Sequence, residues 1–170
     1  MDNITKYALL FKMLCAEYDG ATLGKKVSQK MFYFFEREGI ELNLRYGIHY
    51  YGPYSSKLDN AMYELESEGY ISIDMAGVTH TVRQGKTEVS GSLSEEETSI
   101  AKKVLSIFEH KSALELEALS TMDYVANFIL GQYATAEDIK RKFREIKGSK
   151  FNEAMVNSTY QELVELELIA

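Results

Sequence analysis

The segment "YGPYSSKLDNAMYELESEGYISID", residues 51–74, joins a turn, a helix and a strand in one continuous stretch. Its glycine and proline favour a tight turn, and a serine directly after them can cap the next helix. Four apolar residues then recur at helical spacing: Leu58, Ala61, Met62 and Leu65. Gly69 ends this pattern and an apolar strand follows. The segment therefore predicts a turn, a helix over residues 56–68 and a strand.

Two helices precede this segment in the sequence. The first is predicted to begin at Asn3 or Thr5, which are good N-cap residues, and to end near Gly20. The second is predicted over residues 25–38, because Gly39 can supply the left-handed conformation that ends a helix. Apolar residues at helical spacing within it indicate one buried face.

From Leu42 the hydrophobic period changes to two, which is typical of a half-buried strand. One face of this strand is predicted to point into a core: Leu42, Leu44, Tyr46, Ile48 and Tyr50. The opposite face carries Asn43, Arg45, Gly47, His49 and Tyr51. The turn at Gly52 and Pro53 then ends the strand.

Downstream of the third helix, two short strands are predicted over residues 70–75 and 78–84, joined around Ala76 and Gly77. The order helix, helix, strand, helix, hairpin is close to that of a winged-helix domain. Residues 56–68 then take the place of the recognition helix, and the hairpin is the wing. We therefore expect a winged-helix-like domain over residues 1–86.

A polar, glycine-containing stretch at residues 87–93 predicts a linker, and the remainder, residues 94–170, is predicted to be a four-helix domain. "SEEE" from Ser94 and "SALE" from Ser112 both match the S-x-x-E capping box. They open predicted helices over residues 95–109 and 113–130. A third helix is capped by Thr135 and ended by Gly148, and a fourth reaches towards the C-terminus. The fold class is thus α+β and mostly α.

The composition limits the classes of function. The 170 residues carry a net charge of −7, which gives no overall attraction to nucleic acid or to an anionic membrane. A single cysteine excludes an internal disulfide framework and fits a reducing, cytoplasmic location. No apolar run approaches the ~20 residues that a membrane-spanning helix needs. We expect a cytoplasmic protein without a membrane partner.

No catalytic or metal-binding motif is evident. His49, His80 and His110 lie far apart and form no metal-ligand spacing, and no nucleophile elbow, Walker loop or dinucleotide fingerprint occurs. Cys15 sits in an apolar helical stretch, which favours a buried inert thiol. The sequence therefore predicts a protein that is not an enzyme and holds no cofactor or metal. An enzyme centred on the Tyr/His turn is kept as a residual alternative.

Two basic patches are candidate partner or nucleic-acid surfaces. The first is a ridge on the second helix, opposite its predicted core face: Lys26, Lys30, Tyr33 and Arg37. Arg45, His49 and Tyr51 on the outer face of the strand extend it if the strand packs beside this helix. The second patch is the run "KRKFREIKGSK" at residues 140–150: Lys140, Arg141, Lys142, Arg144, Lys147 and Lys150. For both patches the competing interpretation is an ordinary solvated helix face.

The predicted recognition helix has the wrong charge for a DNA groove. It carries Asp59, Glu64, Glu66 and Glu68 against the single cation of Lys57. Because DNA binding depends on neutralising phosphates, we do not expect this helix to enter a groove.

"GKKVSQKMFYFFEREGI" (residues 24–40), followed by "LRYGIHYYGPYSSKLDNAMYELESEGYI" (residues 44–71), resembles the YwgA-like family of uncharacterised bacterial proteins. Lys30, Gly52 and Pro53 are the firmest points of this resemblance. A more distant resemblance is to the SocA-like Panacea domain, whose proteins act as antitoxins or as adaptors that deliver a target to a protease. Two features depart from the Panacea pattern, namely the acidic third helix and the all-helical C-terminal half.

Together these observations predict a non-enzymatic regulatory or interaction protein that binds a protein partner, with an antitoxin-like or adaptor-like role implied by the resemblance. The alternative is a nucleic-acid-binding transcriptional regulator that uses one of the basic patches. A homodimer is a further alternative for the partner. These hypotheses differ in which charged side chains face solvent, and that depends on the tertiary structure.

Overall fold

The computed structural model describes residues 1–18, 22–78 and 80–170. Over these residues it confirms the α+β, mostly α fold class, with seven α-helices and two small antiparallel sheets. The chain divides into two compact units. The first contains Met1–Gly47 and Tyr54–Lys111, and the second contains Ile48–Pro53 and Ser112–Ala170. The predicted helix end near Gly20 and the predicted strand at residue 79 lie outside the described residues.

The first unit begins with two helices, α1 (Asn3–Glu17) and α2 (Lys25–Arg37). Asp2, and not Asn3 or Thr5, caps α1, because its carboxylate accepts a hydrogen bond from the backbone N–H of Thr5 at 2.8 Å. The end of α2 is confirmed at Gly39, whose φ of 120° is accessible to glycine at little cost. Aromatic rings join the two helices, with the Phe11 and Phe32 centroids 4.7 Å apart.

The prediction of a strand that begins at Leu42 is wrong for its first half. Regular strand β1 covers only Gly47–His49, because Asn43 and Arg45 take left-handed φ angles of 56° and 54° that no extended ladder accommodates. Leu42 and Leu44 are nevertheless buried, as the alternation predicted. Tyr50 is 82% exposed, which corrects its assignment to the core face.

Side chains, rather than a neighbouring strand, bond the backbone of residues 41–44. The hydroxyl of Tyr7 donates to the carbonyl of Leu42 at 2.7 Å, and the Leu44 N–H donates to the carboxylate of Glu36 at 3.1 Å. Lys6 and Lys57 donate to the carbonyls of residues 41 and 43. These bonds satisfy polar backbone groups that a β-ladder would otherwise pair.

The helix and the following strand of the decisive segment are confirmed, but its turn is displaced: Tyr50 and Tyr51 form the turn, and Gly52 and Pro53 lie in a short strand. Strand β2 (Gly52–Tyr54) pairs with β1 and leads into helix α3 (Ser56–Ser67), which is capped by the Ser55 hydroxyl. Strands β3 (Ile71–Asp74) and β4 (Thr81–Gln84) form an antiparallel hairpin in which Ile73 is opposite Val82. Apart from the additional strand β2, the element order expected of a winged helix is present, while the winged-helix assignment itself stays a prediction.

Helix α4 (Glu95–Phe108) belongs to the first compact unit. Its Phe108 ring stacks on Phe34 of α2 at a centroid distance of 4.0 Å, and Lys6 of α1 pairs with Glu97 at 2.8 Å. The polar stretch before this helix had predicted that it belongs with the C-terminal helices. The predicted linker at 87–93 has no regular secondary structure, and its role as a domain boundary stays a prediction.

The second unit is built from α5 (Ala113–Tyr124), a π-helix (Val125–Leu130), α6 (Ala136–Lys147) and α7 (Glu153–Glu165). The capping boxes predicted at Ser94 and Ser112 are confirmed, and Thr135 forms a third with Asp138. The core of this unit includes the buried Phe143 and Phe151, whose ring centroids are 5.5 Å apart.

Candidate functional sites

The predicted basic ridge on α2 is not a continuous surface. Lys30 and Tyr33 are buried, whereas Lys26 is exposed and Arg37 is half-buried. The expectation that all four lie opposite the core is therefore wrong for the central pair. Every residue from Ser28 to Phe35 is buried, so α2 is a central helix covered on more than one face. The spacing of apolar residues along a helix predicts one buried face, and it gives no sign that polar residues on another face are buried as well.

Lys26 is the exposed residue of the predicted ridge. It borders a cavity of about 180 Å³ together with Lys25, Val78 and His80. Lys25 pairs with Asp59 of α3 at 2.8 Å, and its ammonium group lies 4.8 Å from the centre of the Tyr63 ring. Part of the positive charge here is thus compensated by the acidic third helix.

Gln29 is a key residue that the sequence analysis missed. Its side-chain amide donates to the carbonyl of Ser55 and accepts from the Ser55 N–H, both at 2.9 Å. The Ser55 hydroxyl in turn donates to the Leu44 carbonyl at 2.6 Å and accepts from the N–H of Leu58 at 3.0 Å. The polar residues at this turn therefore fix the start of α3 against α2, which is a structural role.

The outer-face residues of the Tyr/His turn divide between the two compact units. Arg45 is exposed and belongs to the first unit, whereas His49 and Tyr51 are exposed and belong to the second. Within the second unit, the ammonium group of Lys147 donates to the carbonyl of Tyr50 at 3.0 Å, and that of Lys150 lies 5.1 Å from the centre of the Tyr51 ring. The basic run thus contacts the turn directly.

The basic run at 140–150 is paired within the chain. Lys147 and Lys150 both bind the carboxylate of buried Glu117, at 3.1 and 2.8 Å. Arg144 forms two hydrogen bonds of 2.7 Å with Glu153, and this pairing lowers the pKa of the Glu153 carboxyl.

The other three cations of the run also have intramolecular partners. Arg141 pairs with Asp138 and Lys142 pairs with Glu145, each at 3.2 Å along α6. The ammonium group of Lys140 lies 5.1 Å from the centre of the Tyr160 ring. Because the second unit also carries ten Asp/Glu against six Lys/Arg, the run does not make it a cationic surface.

An exposed apolar segment at the end of the π-helix is the main feature that the sequence analysis did not identify. Phe128, Ile129 and Leu130 are 59%, 40% and 38% exposed, and Tyr133 is 91% exposed. The helix predicted over residues 113–130 includes the first three, because an apolar run that follows an apolar helix is typical of a continuing buried helix. We call Phe128, Ile129, Leu130 and Tyr133 the apolar segment.

The apolar segment lies beside an open concavity of about 410 Å³. Leu130, Tyr133 and Ala134 line one side of it. The other side is a face of α6 with charges at i, i+3, i+4 and i+7: Asp138, Arg141, Lys142 and Glu145. An apolar side bordered by charges of both signs is the composition expected of a protein-binding surface.

Local hydrogen bonds hold the apolar segment in place. The side-chain amide of Asn127 donates to the carbonyls of Asp123 and Leu168, at 3.0 and 3.1 Å. The N–H of Gly131 donates to the carbonyl of Ala126 at 3.0 Å, closing the last π-turn. Gly131 has a φ of 90°, a conformation that favours glycine. The segment is therefore presented on a fixed backbone, and π-turns of this kind occur frequently at functional sites.

Other classes of site find little support in the described part of the chain. Among these residues no three or more His, Cys, Asp and Glu side chains come together in a group that could hold a metal ion. Burial raises the pKa of the Cys15 thiol to about 11, which disfavours the nucleophilic thiolate at neutral pH. No helix in the described ranges has the length and apolar character needed to cross a bilayer.

Comparison with known proteins assigns no family to the chain. No protein-family model matches it, and no curated protein matches it. The resemblance to YwgA-like proteins and to the SocA-like Panacea domain therefore stays a prediction, and the interpretation of the surfaces depends on their geometry and charge.

Proposed function

We propose that this chain is a non-enzymatic interaction protein that binds a protein partner through the apolar segment. The observation that carries the proposal is the exposure of four large apolar side chains within six residues, next to a concavity with a charged border. Exposed apolar groups of this kind, bordered by polar residues, are typical of protein–protein contact sites. Aromatic side chains such as Tyr133 supply much of the binding energy at such interfaces.

An antitoxin-like or adaptor-like regulatory role in the cytoplasm is the specific form of this proposal. It is supported by the sequence resemblance to the YwgA-like family and, more distantly, to the SocA-like Panacea domain, whose proteins act as antitoxins or adaptors. The winged-helix-like first unit is then a scaffold, since its acidic third helix uses Asp59 and Glu66 in bonds within the unit.

The alternative proposal, a nucleic-acid-binding regulator, has less support. The cations of the 140–150 run pair with carboxylates and aromatic rings, and Lys30 on α2 is buried. Phosphate binding would have to break these pairs before it gained from counterion release. Binding of a random-sequence duplex or single strand that weakens steeply with salt and is lost in Arg144→Glu would favour this alternative.

The proposal is tested with two matched double variants, each expressed in the cells that naturally produce the protein. Leu130→Ser/Tyr133→Ser removes two exposed apolar side chains from the concavity, and Tyr50→Ser/Met75→Ser removes two exposed ones elsewhere. We expect a specific protein to co-purify with the wild type and the control variant and to be lost from the first variant. Recovery of the same proteins with all three chains would contradict the proposal.

Photo-crosslinking gives an independent test. A benzoylphenylalanine at position 133 should form a defined adduct with the co-purifying protein, because Tyr133 is 91% exposed beside the concavity. The same group at position 50, which is 82% exposed, serves as the control and should form no such adduct. Equal adducts at both positions would indicate unspecific contact.

A further inference from the structure

The charged border of the concavity carries a symmetrical pattern. Along α6 the four lining residues read negative, positive, positive, negative: Asp138, Arg141, Lys142 and Glu145. Their spacing of i, i+3, i+4 and i+7 puts them on one face of the helix. Each charge is substantially exposed, with side-chain exposures between 39% and 65%.

This pattern disfavours a second copy of the chain as the occupant. If two copies of α6 packed antiparallel about the middle of this face, Asp138 would lie opposite Glu145 of the other copy, and Arg141 would lie opposite Lys142. If they packed in parallel, each residue would face its own counterpart. Like charges meet in both arrangements, and such juxtapositions oppose association.

The ion pairs within this face of α6 do not prevent a partner from binding to it. Arg141 and Asp138, like Lys142 and Glu145, form exposed pairs at 3.2 Å and at i,i+3 spacing. Exposed pairs of this kind contribute little to stability, because solvent screens them. A partner with the opposite charges at matching positions can therefore replace them at little cost, while Leu130 and Tyr133 supply apolar contact.

We propose that the concavity receives an amphipathic helix of another protein, whose charged face reads positive, negative, negative, positive at i, i+3, i+4 and i+7. Because this order is the same in both directions, it complements α6 in the parallel and the antiparallel orientation. Apolar side chains beside these charges contact Leu130 and Tyr133. This inference rests on the proposed function and specifies the chemistry of its partner.

The test uses two synthetic helical peptides of identical composition, both with leucines beside the charged face. The complementary peptide has Lys at i and i+7 and Glu at i+3 and i+4, and the inverted peptide has Glu and Lys exchanged. We expect fluorescence anisotropy to show the wild-type chain binding the complementary peptide about tenfold more tightly at low salt. This preference should shrink as salt screens the charges.

Charge reversal identifies the face. Arg141→Glu/Lys142→Glu makes all four lining charges negative, so the preference between the peptides should fall to about twofold or less. Lys140→Glu/Arg144→Glu makes the same change in net charge on α6 outside the lining residues and should keep the preference. Circular dichroism checks that both variants fold, and the salt dependence of the wild type tests the inference without any variant.

The outcomes separate this inference from the proposed function. If the wild type binds the two peptides equally, or binds neither, while the cellular partner is still lost in Leu130→Ser/Tyr133→Ser, the proposed function stands and this inference is overturned. If the complementary peptide is preferred but no cellular partner depends on Tyr133, the charge preference of the concavity is supported and the proposed function is contradicted. A concentration-dependent dimer that excludes the peptides would assign the surface to a second copy and overturn the inference.

Discussion

The ammonium group of Lys147 lies 3.1 Å from the Oε2 atom of Glu117, and the two side chains are only 3% and 6% exposed. Lys147 also donates to the carbonyl of Tyr50, so this buried pair holds the short 48–53 segment within the second unit. The most basic stretch of the sequence thus contains a structural ion pair.

Glu117→Leu should destabilise the protein by about 3–5 kcal/mol, because it leaves the buried Lys147 ammonium group without its carboxylate. In Glu117→Leu/Lys147→Met both charges are removed, and much of the loss should be recovered. Urea denaturation at pH 7 measures both. Glu145→Leu, which breaks an exposed pair with Lys142, is the control and should cost less than about 1 kcal/mol. If the double variant loses as much free energy of unfolding as the two single substitutions added together, Glu117 and Lys147 do not stabilise each other.

Ser55→Ala should cost about 2–3 kcal/mol. It removes the N-cap of α3 and the hydroxyl that donates to the buried Leu44 carbonyl at 2.6 Å. Ser56→Ala, at the exposed first position of α3, is the matched control and should change stability by less than about 0.5 kcal/mol. Equal effects in thermal denaturation would show that the Ser55 bonds contribute little.

Phe108→Ala should destabilise the first unit by about 3–5 kcal/mol, since its ring is fully buried and stacks on Phe34 at 4.0 Å. Native-state hydrogen exchange should show reduced protection of α2. Lys102→Ala, at an exposed position of α4, is the control. If protection falls in α5 to α7 while α2 is unchanged, α4 belongs with the C-terminal helices, as the boundary at 87–93 predicted.

Stability should fall as the pH rises from about 10 to 12, in part because of Tyr7. Burial, with a smaller contribution from Glu36, raises the pKa of the Tyr7 hydroxyl to about 12. A group whose pKa is higher in the folded state stabilises fully below its unfolded pKa, about 10, and loses this contribution as the pH approaches the folded value.

Tyr7→Phe tests this pH dependence. At pH 8 it should cost about 1 kcal/mol, because the Leu42 carbonyl loses the hydroxyl that donates to it at 2.7 Å. Above pH 10 the variant should lose less stability than the wild type as the pH rises, so the two urea midpoints should approach each other. Parallel curves from pH 8 to 12 would contradict the assignment.

The helix ends were predictable because they depend on a few adjacent residues. Ser94 and Ser112 open capping boxes and Gly39 ends α2, as their sequence context indicates. The pattern at 42–50 was less informative. Leu42 and Leu44 alternate as in a strand, yet both are buried without a β-ladder. The backbone is left-handed at Asn43 and Arg45, the Tyr7 hydroxyl donates to the Leu42 carbonyl, and the Glu36 carboxylate accepts from the Leu44 N–H.

The candidate surfaces were less predictable than the fold. Lys30 and Tyr33 read as a solvated ridge but are buried, and Lys147 reads as a nucleic-acid contact but pairs with Glu117. Tyr133, exposed beside the concavity, carried no sequence signal at all. In each case the property depends on residues distant in sequence.

By itself, the sequence determined the mostly helical class, the capped helix ends and the serine-capped start of α3, because local backbone conformation and capping act over three or four residues. The tertiary structure decided which charged and apolar side chains face water. Glu117 lies 33 residues from Lys150 in the sequence, and yet its carboxylate is the ion-pair partner of that lysine. Desolvation and pairing arise only after such distant groups meet, so the surface proposed for binding becomes visible only in the folded chain.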